Sequence, residues 1–165
     1  MKILIISDSH GYDSNFFDIL SKTGQPDMLI HLGDAYGNED IYKRAVSCEV
    51  KVVSGNNDLF LGSSLNPEEE FDIGSHHFFL THGHRYGVSY GTQKLLDAAL
   101  SRGADIVLYG HTHVPSIEFD EDYHIWAVNP GSISMPRQSN GKPSYAVLEI
   151  DENDEIRFDL KYLER

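Results

Sequence analysis

Residues that commonly bind metal ions recur at five points of this 165-residue sequence, each time just after a short apolar segment. They combine imidazoles, carboxylates and one amide, a mixture that suits Mn, Fe, Co, Ni or Zn better than Ca or Mg alone. The candidate ligands are Asp8, His10, Asp34, Asn56, His82, His111 and His113. Because seven ligands exceed what one ion needs, the sequence predicts two ions, with a carboxylate such as Asp34 placed between them.

Two pairs of candidates are separated by a single residue. In an extended chain, residues two apart point the same way, so Asp8 and His10 are expected to face one ion, and His111 and His113 repeat that spacing. Neither pair is specific by itself, because Asp-x-His and His-x-His often arise by chance. The prediction depends on the whole ordered series.

The apolar segments before the candidates have the length and β-branched content of buried strands. They lie at residues 2–7, 28–32, 50–54, 78–81 and 105–109. Helices are expected from Asp13 or Ser14 to Gly24, over 39–47, and from a cap at Thr92 to Gly103. This alternation predicts parallel strands joined by right-handed crossovers, whose carboxyl ends would bring the candidates together.

The C-terminal part has a different pattern. From Ser116 onward, apolar and polar residues alternate, which is typical of antiparallel strands. The acidic segment 151–154 separates two such strands, at 145–150 and 155–163, and reads as a hairpin loop. Since no linker or repeat interrupts the chain, we expect one domain over residues 1–165.

The charge balance restricts the partners. With 13 basic and 26 acidic side chains, the formal charge of −13 would repel nucleic-acid backbones and anionic lipid unless a cation is bound. Cys48 is the only cysteine, which excludes an intrachain disulfide and fits a reducing compartment. No apolar run approaches the ~18 residues of a membrane span. We therefore expect a cytoplasmic protein that binds neither duplex nucleic acid nor membranes.

The order of the motifs resembles that of the calcineurin-like metallophosphoesterases. The series is Asp-x-His, Gly-Asp, Gly-Asn-Asn-Asp, His-Gly-His and Gly-His-Thr-His, over residues 1–113, and the Asn-Pro-Gly-Ser stretch at 129–132 extends it. The short chain is most similar to the small bacterial and archaeal phosphodiesterase branch. The resemblance implies a four-layer αββα sandwich, in which two mixed β-sheets are flanked by helices.

The resemblance also implies how the metal ligands are divided. One ion would be held by Asp8, His10, Asp34 and His113, and the other by Asp34, Asn56, His82 and His111. We expect two divalent ions, Mn first, with Ni, Fe, Zn or Co as alternatives. The implied activity is hydrolysis of a small phosphodiester by a hydroxide bound to both ions. The resemblance also implies a homodimer, because family members of this size are commonly dimeric.

Three more residues are candidate catalytic groups. Asn57 stands where many family members have a histidine, and an amide cannot deliver a proton at neutral pH, so poor leaving groups should depart slowly. His84 is either a substitute acid or a loop histidine bonded to the backbone. Asp58 either orients a neighbour in the site or caps the following turn.

Other functions stay open at this point. A chain of this fold can be a protein-binding scaffold, as the retromer subunit is, and a phosphomonoesterase or a nuclease acting on single strands are further alternatives. The full set of ligands favours catalysis, because buried polar groups without a metal partner are costly. The acidic charge and the lack of an evident basic channel disfavour the nuclease.

Three other polar positions are assigned no catalytic role. His31 lies within an apolar strand and is expected to be a core histidine. Arg85 is expected to form a surface salt bridge, with a contact to a substrate phosphate as the alternative. The run Glu68-Glu69-Glu70 is expected to be a solvated surface.

Overall fold

Ten β-strands form two five-stranded sheets in the computed structural model, which describes residues 1–164. The first sheet contains, in spatial order, β10 (Ile156–Tyr162), β9 (Ser144–Ile150), β1 (Lys2–Ile6), β2 (Met28–His31) and β3 (Glu49–Val52). The second contains β4 (Glu68–Ile73), β5 (His76–Thr81), β6 (Ile106–Leu108), β8 (Ile125–Asn129) and β7 (Ser116–Asp120). In each sheet three strands run parallel, β1 with β2 and β3, and β5 with β6 and β8. The remaining strands pair antiparallel, so both sheets are mixed.

The two sheets pack against each other through their apolar inner faces. Successive residues of a strand point to opposite faces, and β1 is apolar on both. Ile3 and Ile5 join Phe78 and Leu80 of β5 in the core between the sheets. Leu4 and Ile6 point away from that core, toward the helices. The strand β1 is therefore buried on both sides.

Helices cover the two outer faces. The outer face of the first sheet is covered by α1 (Ser14–Thr23) and α2 (Glu39–Ala45), which contribute Phe16, Ile19 and Tyr42 to the core on that face. The second sheet is covered by α4 (Gln93–Arg102). The short helix α3 (Asn56–Phe60) follows β3. This arrangement is the predicted four-layer αββα sandwich, and the fold prediction is confirmed.

The helix ends differ from the expectation in detail. The Asp13 carboxylate does not cap α1, because it accepts hydrogen bonds from Asn38 and Tyr42 instead. The Thr92 hydroxyl makes no capping hydrogen bond within residues 1–164. The second helix ends at Ala45 rather than at residue 47. Gly103 ends α4 as predicted, in the left-handed region with φ 72°.

The acidic run at 68–70 is a partly solvated surface, with side-chain exposures of 23%, 33% and 43% at Glu68, Glu69 and Glu70, and its carboxylates also have cationic partners. It begins the strand β4, which pairs with β5. Glu68 accepts a hydrogen bond from Arg102 at 2.9 Å, and Glu69 accepts one from Lys51 at 2.5 Å. Lys51 and Arg102 belong to β3 and α4, so the positive charge that offsets the carboxylate run comes from outside the β4–β5 pair. Arg85 is exposed and lies 3.9 Å from Glu68, as expected for a surface ion pair.

The C-terminal strands match the predicted antiparallel pattern, with the exception of β8, which pairs parallel to β6. None of the helices in residues 1–164 has both the length and the apolar character to cross a membrane.

Candidate metal centre

The seven candidate ligands lie at the carboxyl ends of parallel strands from both sheets. Asp8 and His10 follow β1, Asp34 follows β2, and Asn56 begins α3 after β3. From the second sheet, His82 follows β5, and His111 and His113 follow β6. Parallel strands present their following loops at one edge, so the alternation of strand and helix brings these residues together.

The residues of the two closely spaced pairs do not have the extended backbone that was expected. Asp8, His10, His111 and His113 all have left-handed backbone, with φ of 54°, 48°, 70° and 60°. The extended-chain argument was therefore wrong, because these loops turn sharply at each candidate. Backbone hydrogen bonds hold the turns, since the Asp8 N–H donates to the Gly33 carbonyl at 3.0 Å and the His10 N–H donates to the Asp34 carbonyl at 2.9 Å.

One group of candidates is centred on Asp8, His10 and His113. The Nε2 atom of His113 lies 3.1 Å from Asp8 Oδ1 and 3.1 Å from His10 Nε2. The His10 Nε2 atom is 3.7 Å from Asp8 Oδ1. These three atoms are close enough together to ligate one ion.

A second group joins Asp8, Asp34 and His82. The Nε2 atom of His82 lies 3.8 Å from Asp8 Oδ1 and 3.5 Å from Asp34 Oδ2. Asp34 Oδ2 is also 3.8 Å from His10 Nε2, so this carboxylate lies beside both groups. His111 places its Nδ1 atom 3.1 Å from Asn56 Oδ1 and its backbone N–H 3.1 Å from Asp8 Oδ2.

The donor set fits divalent cations. Within residues 1–164, Asp8 Oδ1 and His82 Nε2 are buried without a hydrogen-bond partner, although three imidazole nitrogens lie within 3.8 Å of that oxygen. His82 and His113 each donate from Nδ1 to a backbone carbonyl, of Leu32 at 2.6 Å and of Met135 at 2.7 Å. With the proton on Nδ1, both Nε2 lone pairs point into the site, as in metal-binding histidines generally.

The electrostatics of the site are consistent with that fit. Burial alone would raise the pKa of Asp8, but the neighbouring imidazoles, His82 first, hold it well below its usual range. Burial and the nearby His82 lower the pKa of His111. Asp8 is therefore an anion, and His111 favours the neutral form that can bind a metal.

Asn57 donates hydrogen bonds to the candidate ligand Asp34. Its backbone N–H donates to Asp34 Oδ1 at 2.9 Å, and its side-chain amide donates to Asp34 Oδ2 at 2.7 Å. Its side chain therefore orients the carboxylate that adjoins both groups of ligands.

The Asp58 carboxylate accepts backbone N–H groups that all precede it in the chain, and within residues 1–164 it does not cap the following turn, which was one of the two expected roles. Its carboxylate accepts the Gly55 N–H at the start of α3, at 2.8 Å, which is a capping contact. It also accepts the N–H groups of Asp34 and Tyr36, both at 2.7 Å. Asp58 thus holds the backbone of the Asp34 loop through hydrogen bonds.

His84 lies at the edge of the site, with its ring centre 5.5 Å from that of His82 and 6.1 Å from that of His111. Burial, together with His82 and His111, lowers the pKa of His84 to about 4. A neutral imidazole at pH 7 carries no extra proton to donate, which weakens its case as the substitute acid.

Several functional contacts have no clear signal in the sequence. Ser132 and Ser134 donate to the Asp8 carbonyl at 2.7 and 2.9 Å, and Ser7 donates to the Asp8 carboxylate at 2.6 Å. Only Ser132 belongs to a motif that the sequence singled out. Tyr36 was missed as well, although its ring lies 5.2 Å from the His10 ring.

Comparison with known proteins agrees with this geometry. Residues 1–153 match the family described as calcineurin-like phosphoesterase superfamily domain. Over 156 residues the chain is 35% identical to the probable metallophosphoesterase YsnB of Bacillus subtilis, covering 93% of this chain and 86% of that protein.

Two further likenesses bear on function. The chain is 30% identical to the phosphodiesterase YfcE of Escherichia coli, covering 92% and 89% of the two chains, and the YfcE structure superimposes with a TM-score of 0.66. A Vps29 structure from Entamoeba histolytica has a TM-score of 0.77 at 25% identity, over 99% of this chain and 100% of that one. Similar folds therefore carry both phosphodiesterase and Vps29 names.

Proposed function

Because this chain belongs to the calcineurin-like phosphoesterase superfamily, we propose that it is a metal-dependent phosphodiesterase that acts on a small phosphodiester with two divalent ions. The observation that carries the proposal is a pair of buried atoms, Asp8 Oδ1 and His82 Nε2, which lie 3.8 Å apart and have no hydrogen-bond partner within residues 1–164. Unpaired polar atoms at this depth are costly, and a cation would satisfy both at once.

The proposed ligands of one ion are Asp8, His10, Asp34 and His113, and those of the other are Asp34, Asn56, His82 and His111. Two contacts support placing Asp34 between them, because its Oδ2 atom lies 3.8 Å from His10 and 3.5 Å from His82. Two bound divalent ions supply positive charge for the phosphoryl oxygens and lower the pKa of a bound water. This mixture of imidazole and oxygen donors suits Mn, Ni, Fe, Zn or Co, and we propose Mn first among them.

The side chains around the ligands have defined tasks in this proposal. Asn57 orients the Asp34 carboxylate through two hydrogen bonds. Asp58 holds the backbone of the same loop. The backbone carbonyls that accept from His82 and His113 keep both imidazoles in the tautomer that points Nε2 into the site.

A diester is favoured over a monoester on two grounds. The relative YfcE is named a phosphodiesterase, and the formal charge of −13 repels a dianionic monoester more strongly than a monoanionic diester. The same proposal includes a cytoplasmic location, a homodimer, and no binding of duplex nucleic acid or membranes.

The test begins with protein stripped of metal by a chelator. Bis-p-nitrophenyl phosphate should be cleaved after addition of Mn. The same assay is then repeated with Ni, Zn and Mg in place of Mn. Asp34→Ala should be inactive, whereas the control Asp72→Ala should keep full activity, because Asp72 lies on β4 and contacts His77. Faster cleavage of the p-nitrophenyl monoester would show a monoesterase instead. Inactivity with all four ions would contradict the proposal and favour a binding scaffold.

A further inference from the structure

His31 is a buried histidine that contacts both loops leaving the first two strands. Its side chain is fully buried at the end of β2, in agreement with the core position expected from the sequence. The Nδ1 atom accepts a hydrogen bond from the Gly33 N–H at 3.2 Å, in the loop of Asp34. The Nε2 atom lies 3.1 Å from Ser9 Oγ, in the loop of Asp8 and His10.

These two contacts define the proton position on the ring. Because Nδ1 accepts from a backbone N–H, its proton must be absent, and the neutral ring then carries its proton on Nε2. His31 therefore donates to the Ser9 hydroxyl. A single neutral imidazole accepts from one loop and donates to the other.

We propose that His31 is a positioning residue for the candidate metal centre, which holds the Asp8-His10 loop and the Asp34 loop in register with each other. The inference rests on the proposed metal centre. It assigns His31 no contact with an ion or with substrate, because its two ring nitrogens are both used by Gly33 and Ser9.

The chain of hydrogen bonds continues from Ser9 into the helices. The Tyr42 hydroxyl, on α2, lies 2.7 Å from Ser9 Oγ and also contacts the Asp13 carboxylate. A phenol has one proton, and the carboxylate is the stronger acceptor, so Tyr42 donates to Asp13. Ser9 then donates to the Tyr42 oxygen, and every member from Gly33 to Asp13 has a partner.

The loops need such support because their backbone is strained. Asp8, His10 and Asp34 have φ of 54°, 48° and 57°, a region in which a residue with a Cβ atom is disfavoured by about 1–2 kcal/mol. Strained backbone of this kind persists only where the surroundings hold it. Ser9, between two of the strained residues, is fully buried, and its side chain makes the contacts with His31 and Tyr42.

The test measures manganese affinity by titration calorimetry on the full chain. His31→Phe keeps a ring but loses both hydrogen bonds, and we expect Mn affinity to fall by about 10-fold or more, the usual effect of removing a group that orients metal ligands. His31→Gln keeps one polar group near the Nε2 position and should recover part of the affinity. Circular dichroism establishes that each variant is folded before its affinity is compared.

Ser9→Ala provides a second, smaller change at the other end of the same contact. It should weaken Mn binding as well, and the double variant with His31→Phe should lose little more than the stronger single variant, because both remove one link. This variant keeps the inference testable if His31→Phe does not fold.

His76→Phe is the matched control for lost stability. Its ring nitrogens also join two segments, through the Asp105 carboxylate and the Asp154 carbonyl, but at the start of β5, the end opposite the candidate ligand His82. It should lower the melting temperature in EDTA without changing Mn affinity. If folded His31→Phe and Ser9→Ala bind Mn within twofold of the wild type, the inference is wrong. If the wild type itself binds no metal, the proposed function fails first.

Discussion

Asn57 donates two hydrogen bonds to Asp34, one from its backbone N–H and one from its side-chain amide, at 2.9 and 2.7 Å. The side chain of Asn57, which follows the proposed ligand Asn56, therefore binds the carboxylate that we place between the two proposed ions. An amide can stabilise charge by hydrogen bonding but cannot transfer a proton at neutral pH. Burial and the nearby His82 lower the pKa of His84 to about 4, so neither candidate acid, Asn57 or His84, is poised to protonate a leaving alcohol at neutral pH.

The first prediction compares phosphodiesters with different leaving groups. Diesters that release p-nitrophenolate need no protonation, whereas alkyl diesters do, and general acid catalysis typically contributes about 10²–10⁴-fold. We expect kcat/KM for methyl p-nitrophenyl phosphate to exceed that for dimethyl phosphate by more than this factor. The comparison uses the Mn-loaded protein at pH 7.5.

Asn57→Ala tests whether Asn57 acts on the Asp34 carboxylate or on the leaving group. It should weaken Mn binding, because Asp34 loses a side-chain partner, yet leave the aryl to alkyl ratio unchanged. Similar wild-type rates on both esters would contradict the prediction, and so would a ratio that changes strongly in Asn57→Ala.

The second prediction concerns Asp58. Its carboxylate accepts three backbone N–H groups, from Asp34, Tyr36 and Gly55. Asp58→Asn replaces one acceptor oxygen with a donor, so at least one buried N–H loses its partner, at about 1–3 kcal/mol. We expect urea unfolding to show that loss, and calorimetry to show Mn affinity reduced about 10-fold or more.

Asp120→Asn is the control for Asp58→Asn. The Asp120 carboxylate also accepts two backbone N–H groups, of Asp122 and Tyr123, in the turn after β7. It should cost stability without changing Mn affinity. Unchanged Mn affinity in folded Asp58→Asn would show that Asp58 only caps α3.

The four layers were predicted from the resemblance to the family, whereas the pattern of strands and helices predicted the edge at which the candidate ligands meet. Apolar strands separated by helices require parallel pairing, and the loops of parallel strands share one edge. The sequence could not show that Asp8 and His113 sit in left-handed turns. Those turns depend on partners such as Gly33 and Arg137, which lie far away in sequence.

The network around His31 was equally beyond sequence analysis. His31 was correctly placed in the core, but nothing in the local pattern indicates that Ser9 and Gly33 are its partners. The sequence also did not show the cationic partners of the acidic run at 68–70, because Lys51 and Arg102 come from other elements. The hydrogen-bond partners of these polar residues could not be predicted, because the partners are brought close only by the tertiary fold.

The third prediction tests the close approach of two loops at Gly33. A Cβ atom at Gly33, where φ is +100°, would lie 2.7 Å from the Gly55 nitrogen and 2.7 Å from His82 Nδ1. Both neighbours are fixed, so Gly33→Ala should destabilise the protein by at least about 2 kcal/mol. It should also weaken Mn binding by displacing His82.

Gly37→Ala is the control, because its φ of +79° is similar but an added Cβ would meet nothing within 4 Å among the described residues. It should lose only the backbone strain of about 1–2 kcal/mol and bind Mn normally. Equal Mn affinity in Gly33→Ala and Gly37→Ala would show that the contact with His82 is unimportant.

The fourth prediction concerns pH and His76, at the other end of the second sheet. Both ring nitrogens face acceptors, the Asp105 carboxylate at 2.6 Å and the Asp154 carbonyl at 2.9 Å, so the protonated ring is favoured. Burial alone would lower the pKa of His76, but these hydrogen bonds outweigh burial and raise it above 6.5. A raised pKa in the folded state stabilises the protein below the unfolded pKa of about 6.5, and the stabilisation is lost as pH rises through the folded value.

His76→Gln should therefore be more destabilising at pH 5.5 than at pH 8.5. The expected difference is at most about 1 kcal/mol, because Asp105 is partly exposed and its charge is screened. Urea unfolding in EDTA, with wild type and variant compared at each pH, measures it. Asp105→Asn should remove most of the pH-dependent part and leave little for His76→Gln to add, since both changes break the same ion pair. A variant that loses the same free energy of unfolding at both pH values, or more at pH 8.5, would show that the ion pair does not form in solution.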